Sequence, residues 1–291
     1  MKLLVFDIGG TEIKYALCDE NFILTDKKSV PTNAHEGGRR IIERVVEIAK
    51  TFDGVDRIGI STAGQVDSEK GSIIFATDSI PGYTGTQIKQ IIESELGVPC
   101  AVENDVNSAA LGEAHFGAAK GESNFICLTY GTGIGGAIFI DGKLFKGCGY
   151  SAGEFGHFIT HANGKSCTCG GNGCYEAYAS SGALVRAVAE KTGRQLNGRE
   201  IFAEFDNPTI RDIIDGWIDE IVVGLKSLVY IFNPSLIVAG GGIMNEEYIT
   251  DEINKRLQTQ LMQSFRCVEI KKARMGNDAN LLGAAYIASK E

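Results

Sequence analysis

Three cysteines, Cys167, Cys169 and Cys174, fall within eight positions of the stretch HFITHANGKSCTCGGNGCYE, residues 157–176, while the other five cysteines are scattered. In a reducing compartment such crowding points to a metal ion rather than to a bridge. His157, nine intervening residues, then Cys-x-Cys-x4-Cys supplies four soft or borderline ligands, the set that closes a tetrahedral Cys3His site around structural Zn2+. Gly170, Gly171 and Gly173 let the short loop turn back around one ion. Four protein ligands leave no open position for substrate, so the ion is read as organising its neighbours rather than reacting.

A second chemistry is written in glycine. The chain holds 37 glycines among 291 residues, and they cluster. DIGGT (Asp7, Gly9, Gly10, Thr11) and GTGIGG (with Thr132 and Gly133) each place glycine amides and a threonine hydroxyl at a turn between two strands, where successive N–H groups can cradle an anion. VAGGG (Gly240, Gly241, Gly242) follows a further strand. None is a P-loop, which needs GxxxxGK[ST], and none is a dinucleotide fingerprint, which needs a helix directly after the glycines. Asp105, in END, stands where a strand gives way to a helix, as N-cap or first-turn residue.

The elements that position these residues follow from periodicity. KLLVFDIGG, TEIKYALCD and NFILTDKKSV read as an antiparallel meander of three strands, and GGRRIIERVVEIAKTF as an amphipathic helix. VDRIGIST and PCAVEN are strands, and TGTQIKQIIESELG and DVNSAALGEAHFG are helices. After Gly121 the pattern begins again, with NFICLTY and AIFIDGKLF as strands around GTGIGG. Helices follow over about 178–192 and 208–231, then a strand SLIVAG, a helix near 246–258, a strand around Val268 and a closing helix in DANLLGAAYIASK. The aliphatic stripe through Ile213, Ile214, Trp217, Ile221 and Leu225 is read as core. Two α/β halves result: residues 1–118, completed by the C-terminal helix 278–291, and a larger second domain, 119–277, carrying the zinc insertion.

Composition excludes several classes. A formal net charge of −9 without a clustered Lys/Arg run argues against nucleic acid and against an anionic membrane surface, so an anionic ligand must be held by backbone amides or a metal. The apolar start MKLLVF is broken at Asp7, too soon for a signal-peptide core, and no stretch approaches ~18 uninterrupted apolar residues. A cytoplasmic protein is expected.

In their order, DIGGTEIK, ENDVNSAALGE, GTGIGG, AGEFGH, CTCGGNGCYE, GGG and GAA make the chain resemble sugar kinases of the ROK family, named for repressors, open reading frames and kinases. The resemblance implies the two-domain actin/hexokinase/Hsp70-like fold, with the active site in the interdomain cleft. It implies binding of ATP with Mg2+ and transfer of the γ-phosphate to a sugar, and it implies a homodimer. Asp7 would assist Mg2+ through water, Gly9, Gly10, Thr11 and Lys14 would face the phosphates, and Thr132 and Gly133 would hold their other side, with Gly240, Gly241 and Gly242 toward the adenosine. Asp105 would be the catalytic base, kept ionised by its helix N-terminus, with Asn104 orienting the ring. Glu154, His157 and Glu176 would grip sugar hydroxyls, His157 serving zinc and sugar through its two ring nitrogens. ROK repressors carry a DNA-binding domain ahead of the first strand, for which this chain is expected to leave no room. A non-catalytic sugar sensor is the alternative that the complete ATP turns and Asp105 argue against. STAG, where many glucokinases of the family have proline before the glycine, resembles N-acetylmannosamine kinases; glucose and N-acetylmannosamine are both implied candidates, phosphorylated on the 6-hydroxyl.

Overall fold

The computed structural model describes residues 1–291. In chain order the strands and helices are β1 Leu3–Ile8, β2 Glu12–Cys18, β3 Leu24–Pro31, α1 Gly38–Ala49, β4 Arg57–Thr62, β5 Gln65–Asp67, β6 Ser72–Phe75, α2 Ile88–Leu96, β7 Cys100–Asn104 and α3 Asp105–Phe116. Then come β8 Phe125–Tyr130, β9 Ile134–Ile140, β10 Lys143–Phe145, α4 Glu176–Ala179, α5 Ser181–Thr192, α6 Gly198–Ala203 and α7 Pro208–Phe232. The chain closes with β11 Leu236–Gly240, α8 Glu247–Gln260, β12 Glu269–Lys272 and α9 Ala279–Ala288.

These form two compact units. The first comprises Met1–Gly121, Leu144–Ala152 and Met275–Glu291; the second comprises Glu122–Lys143 and Gly153–Arg274. Residues 144–152, which the sequence boundaries put in the second domain, lie with the first, because Lys146 reaches back to Glu103.

The first unit is built on a five-stranded sheet in the order β3-β2-β1-β4-β7. β1 pairs antiparallel with β2 and parallel with β4, so the meander read from the sequence is present. All six residues of β1 are buried, and the two-residue strand period sorts them. Leu4, Phe6 and Ile8 join Ile41, Ile42 and Val45 of α1 in one core, while Leu3 and Val5 join Leu281, Ala284 and Ala285 of α9 in another. Helix α9 approaches so closely that a Cβ on Gly59 of β4 would collide with the carbonyl of Ala284.

The second unit repeats the plan with a sheet in the order β10-β9-β8-β11-β12, antiparallel between β8 and β9 and parallel from β8 through β11 to β12. The helix expected over about 178–192 is two helices: Ser180 is extended, and its hydroxyl caps α5 by accepting from Ala183 N. The short hairpin β5-β6 and the single-turn-scale α6 had no reading in the sequence. In α7, Ile214, Trp217, Ile221 and Leu225 are buried, as read, whereas Ile213 is only half-buried at the edge of that stripe. No helix is long and apolar enough to cross a membrane.

Candidate active site and metal centre

Asp105 is the first residue of α3, and Asn104, the last residue of β7, is its N-cap. Asn104 Oδ1 accepts from Val106 N (2.9 Å) and Asn107 N (3.1 Å), while its Nδ2 donates to Gly64 O (2.8 Å) and to Asp105 Oδ1 (2.9 Å). The cap is therefore Asn104 and not Asp105. Both amide hydrogens of Asn104 are spent within the protein, so the side chain acts in this structure to aim Asp105. Val106 N adds a second hydrogen bond to Asp105 Oδ1 (2.9 Å).

The hydrogen bonds at the helix N-terminus favour the ionised form of Asp105, but they are not the largest influence on it. Burial, joined by the negative charge of Asp7, pushes the carboxyl up to about 6, against the lowering effect of the Val106 and Asn104 hydrogen bonds. Asp7, the penultimate residue of β1, is itself buried, and Ser61 Oγ and Asn280 Nδ2 both donate to its Oδ1 at 2.9 Å. Beside this pair stands a group the sequence did not single out. Glu103 is almost fully buried in β7, where it accepts from Asn104 N (3.0 Å) and Asn107 Nδ2 (3.0 Å) and is paired with Lys146 Nζ at 2.6 Å.

The first glycine turn follows β1. Gly9 N bonds to Glu12 O and Thr32 Oγ1 donates to Gly9 O (2.6 Å), leaving Gly10 and Thr11 exposed and Lys14 half-buried opposite Asp7 on β2. In the second unit, Gly131 N bonds to Gly133 O, and Gly182 at the start of α5 bonds back to Gly131 O. Gly133 has no positive φ, and a Cβ there would meet Oε2 at the end of the Glu176 side chain. Gly240 ends β11, and Gly241 sits at φ 112° where a Cβ would collide with the carbonyl of Tyr130 at the end of β8; Gly242 is open. The third glycine run and the GTGIGG turn thus meet at Tyr130 and its neighbours.

His157, Cys167, Cys169 and Cys174 place one ligand atom each within 4.8 Å of one another. Cys169 and Cys174 sulfurs are 3.6 Å apart, and Cys167 Sγ is 3.6 Å from His157 Nδ1. A tetrahedron with bonds of about 2.3 Å has edges of about 3.8 Å, so the donor set fits Zn2+ in number, type and spacing. Nδ1 is the ring nitrogen turned to the thiols. Glu176 lies against the same cluster: its Oε1 accepts from Cys167 Sγ and Thr168 Oγ1 at 3.2 Å and its Oε2 from Ile134 N at 3.3 Å. Glu154 is exposed, three residues before His157.

The segments carrying His157 and Glu176 are also joined without any metal. Tyr175 N donates to Phe158 O (2.9 Å), the two rings stack at 5.1 Å, and Ile159 bridges Cys174. Tyr175 is fully buried; its hydroxyl donates to Ile221 O of α7 (3.0 Å) and is shared with Tyr130 (2.9 Å). The sequence reading missed this anchor, although an aromatic wedged between Cys174 and Glu176 is a signal that the segment docks onto a core.

Two sheet-and-helix units of this pattern define the actin and hexokinase class of fold, and the whole chain superimposes on the crystal structure of a ROK family glucokinase from Streptomyces griseus in complex with glucose and AMPPNP, with a TM-score of 0.87, 32% identity and 100% of each chain covered. A β-glucoside kinase of Listeria monocytogenes is 35% identical over 98% of this chain and 97% of its own, and a glucokinase of Streptomyces coelicolor is 34% identical over 97% and 96%. Residues 4–291 match the ROK family throughout, and the chain belongs to that family.

Proposed function

We propose that the protein is a sugar kinase that passes the γ-phosphoryl group of ATP to the 6-hydroxyl of a hexose or N-acetylhexosamine. The observation that carries this reading is Asp105: a carboxylate at the mouth of a helix, aimed by Asn104, beside the buried Asp7, with its proton affinity brought toward neutrality. A base titrating near 6 is ionised at neutral pH yet accepts a proton more readily than an ordinary carboxylate. As the sugar oxygen bonds to the γ-phosphorus and the bond to ADP breaks, Asp105 takes the hydroxyl proton. Phosphoryl transfer is loose, so holding the reactants in line matters more than base strength.

The remaining residues divide between the two substrates. Gly9, Gly10, Thr11 and Lys14 bind phosphates on one side, Thr132 and Gly133 on the other, and Gly240, Gly241 and Gly242 face the adenosine. Mg2+ entering with ATP supplies charge neutralisation, and Asp7 fits as its partner through water because both of its protein donors fall on one oxygen. Glu154 and Glu176 accept from sugar hydroxyls, His157, with Nδ1 given to the metal, donates its Nε2–H to a sugar oxygen, and Zn2+ held by His157, Cys167, Cys169 and Cys174 would fix their approach. As a zinc-bound thiolate, Cys167 donates no hydrogen, which leaves Glu176 Oε1 an acceptor for the sugar. The proposal includes a cytoplasmic homodimer, tested by light scattering of the purified protein and by fractionation of cells.

ADP release, followed with glucose, mannose, fructose, N-acetylglucosamine, N-acetylmannosamine and a β-glucoside in turn, tests the reading. Glucose and N-acetylmannosamine are the expected acceptors. ATP and sugar binding without ADP release from any of them would replace the kinase with a sugar sensor.

A further inference from the structure

The buried Glu103 and the partly exposed Lys146 form an ion pair that the phosphoryl-transfer chemistry above does not use. The Glu103 side chain is 2% exposed, and its carboxylate accepts from Asn104 N, Asn107 Nδ2 and Lys146 Nζ. An ionised carboxylate in so dry a place persists only with a full complement of partners. Lys146 directly follows β10, the edge strand of the second sheet, and belongs with residues 144–152 to the first unit, the chain counting again with the second from Gly153. This strap is closed on itself by Ala152 N bonding to Lys146 O at 3.1 Å. Besides Glu103, Lys146 Nζ donates to Ser68 Oγ (2.5 Å), so the tethers fall on the β5-β6 turn and on the residue preceding the Asn104–Asp105 pair. The chain then runs from Ala152 through Gly153 directly into Glu154.

We propose, on the sugar-kinase reading above, that Lys146 is a positioning residue for sugar phosphorylation: through Glu103 it pins the strap leading into the sugar-binding Glu154 to the β7-α3 junction that carries the base. The pair is bipartite in its duties. Glu103 holds the backbone N–H of Asn104 by itself; Lys146 adds the strap to that fixed point. Removing the lysine alone strands a buried carboxylate, which destabilises any fold. Removing both charges relieves that burden while still cutting the tether, because a glutamine at 103 keeps an acceptor for Asn104 N and Asn107 Nδ2. This separates positioning from mere stability.

The test uses Lys146→Met, Lys146→Arg and the double variant Glu103→Gln/Lys146→Met in the full chain. ADP release gives kcat and KM for sugar and for ATP, and thermal melting gives stability. Lys146→Met lowers the melting temperature and lowers sugar kcat/KM tenfold or more, and Lys146→Arg stays within about threefold of the parent. The double variant regains the parent's melting temperature but keeps the tenfold loss in sugar kcat/KM, with the KM for ATP within twofold. Recovery of sugar kcat/KM together with stability in the double variant, beside an active parent, shows the pair to be structural only and overturns the inference. A parent inactive on every sugar removes the kinase reading and this inference with it.

Discussion

Asp105→Asn changes one oxygen for one nitrogen and is the sharpest perturbation the structure offers. Oδ1 of Asp105 accepts from Asn104 Nδ2 and Val106 N, and an amide oxygen accepts both, so the local hydrogen bonds survive the exchange. What is lost is the charge. In the folded protein burial and Asp7 push the carboxyl from 3.8 up to about 6. A carboxyl raised on folding favours the folded state while protonated, so its contribution is present below about pH 4, is lost as pH rises through about 6, and leaves a constant penalty above. Two units correspond to about 3 kcal/mol at most, and the partial exposure of the group brings the figure to about 1–3 kcal/mol. At pH 8 the Asn variant is therefore more stable than the parent, by a few degrees in melting temperature, and the advantage disappears by pH 4. In the same variant kcat falls ~10²-fold or more, because no group remains to take the hydroxyl proton. Thermal melts at pH 4 and pH 8, paired with ADP release at saturating sugar, measure both. A variant less stable than the parent at pH 8, or one with kcat within a few-fold of it, refutes the account of Asp105 as a base held against its own solvation.

Three further outcomes are expected. In the parent, kcat/KM for sugar rises about tenfold per pH unit below about 6 and levels above it; a flat profile between pH 5 and 8 removes Asp105 as the titrating base. Gly133→Ala drives a methyl into Glu176 Oε2, so the KM for sugar rises along with that for ATP, and a change confined to ATP contradicts the contact. Cys169→Ser abolishes binding of about one zinc per chain and raises the KM for sugar, yet the fold and part of the sugar affinity persist because Tyr175 and Phe158 still join the two segments; elemental analysis and sugar titrations check this, and an unfolded variant refutes it.

The persistence expected of Cys169→Ser shows where sequence reasoning stopped. The thiol cluster was legible because metal chemistry imposes ligand type and spacing along a short stretch. The central strands of both sheets were legible because burial on both faces writes apolar runs such as LLVFDI and LIVAG. Tyr175 was not, since its partners on α7 and β8 lie far along the chain and an aromatic beside cysteines carries no unique periodicity. Nor was the proton affinity of Asp105, which depends on its burial and then on Asp7, brought beside it by the sheet order β1-β4-β7. GTGIGG and the cysteine loop are separate in sequence but meet where Ile134 N donates to Glu176 Oε2, so the proposed nucleotide and sugar sides would be coupled where the sequence set them apart. Glu103 offered one clue, a charge at the end of the apolar strand CAVEN, but its partner sits 43 positions away in a stretch that reads as an ordinary solvated turn.

The route of the chain through the first unit has a consequence for how the protein is made. Leu3, Val5, Ala16 and Cys18 form one face of its sheet, and the helix that covers that face, α9, contributes Leu281, Ala284, Ala285 and Ala288. The other face finds α1 and α2 within the same opening stretch of chain. At roughly 5–20 residues per second of synthesis, the second unit emerges for on the order of ten seconds or more before α9 appears. Throughout that interval the nascent sheet has one apolar face dressed and one bare. The second unit, whose strands and helices are complete by Arg274, can close on its own schedule, whereas the unit made first must finish last.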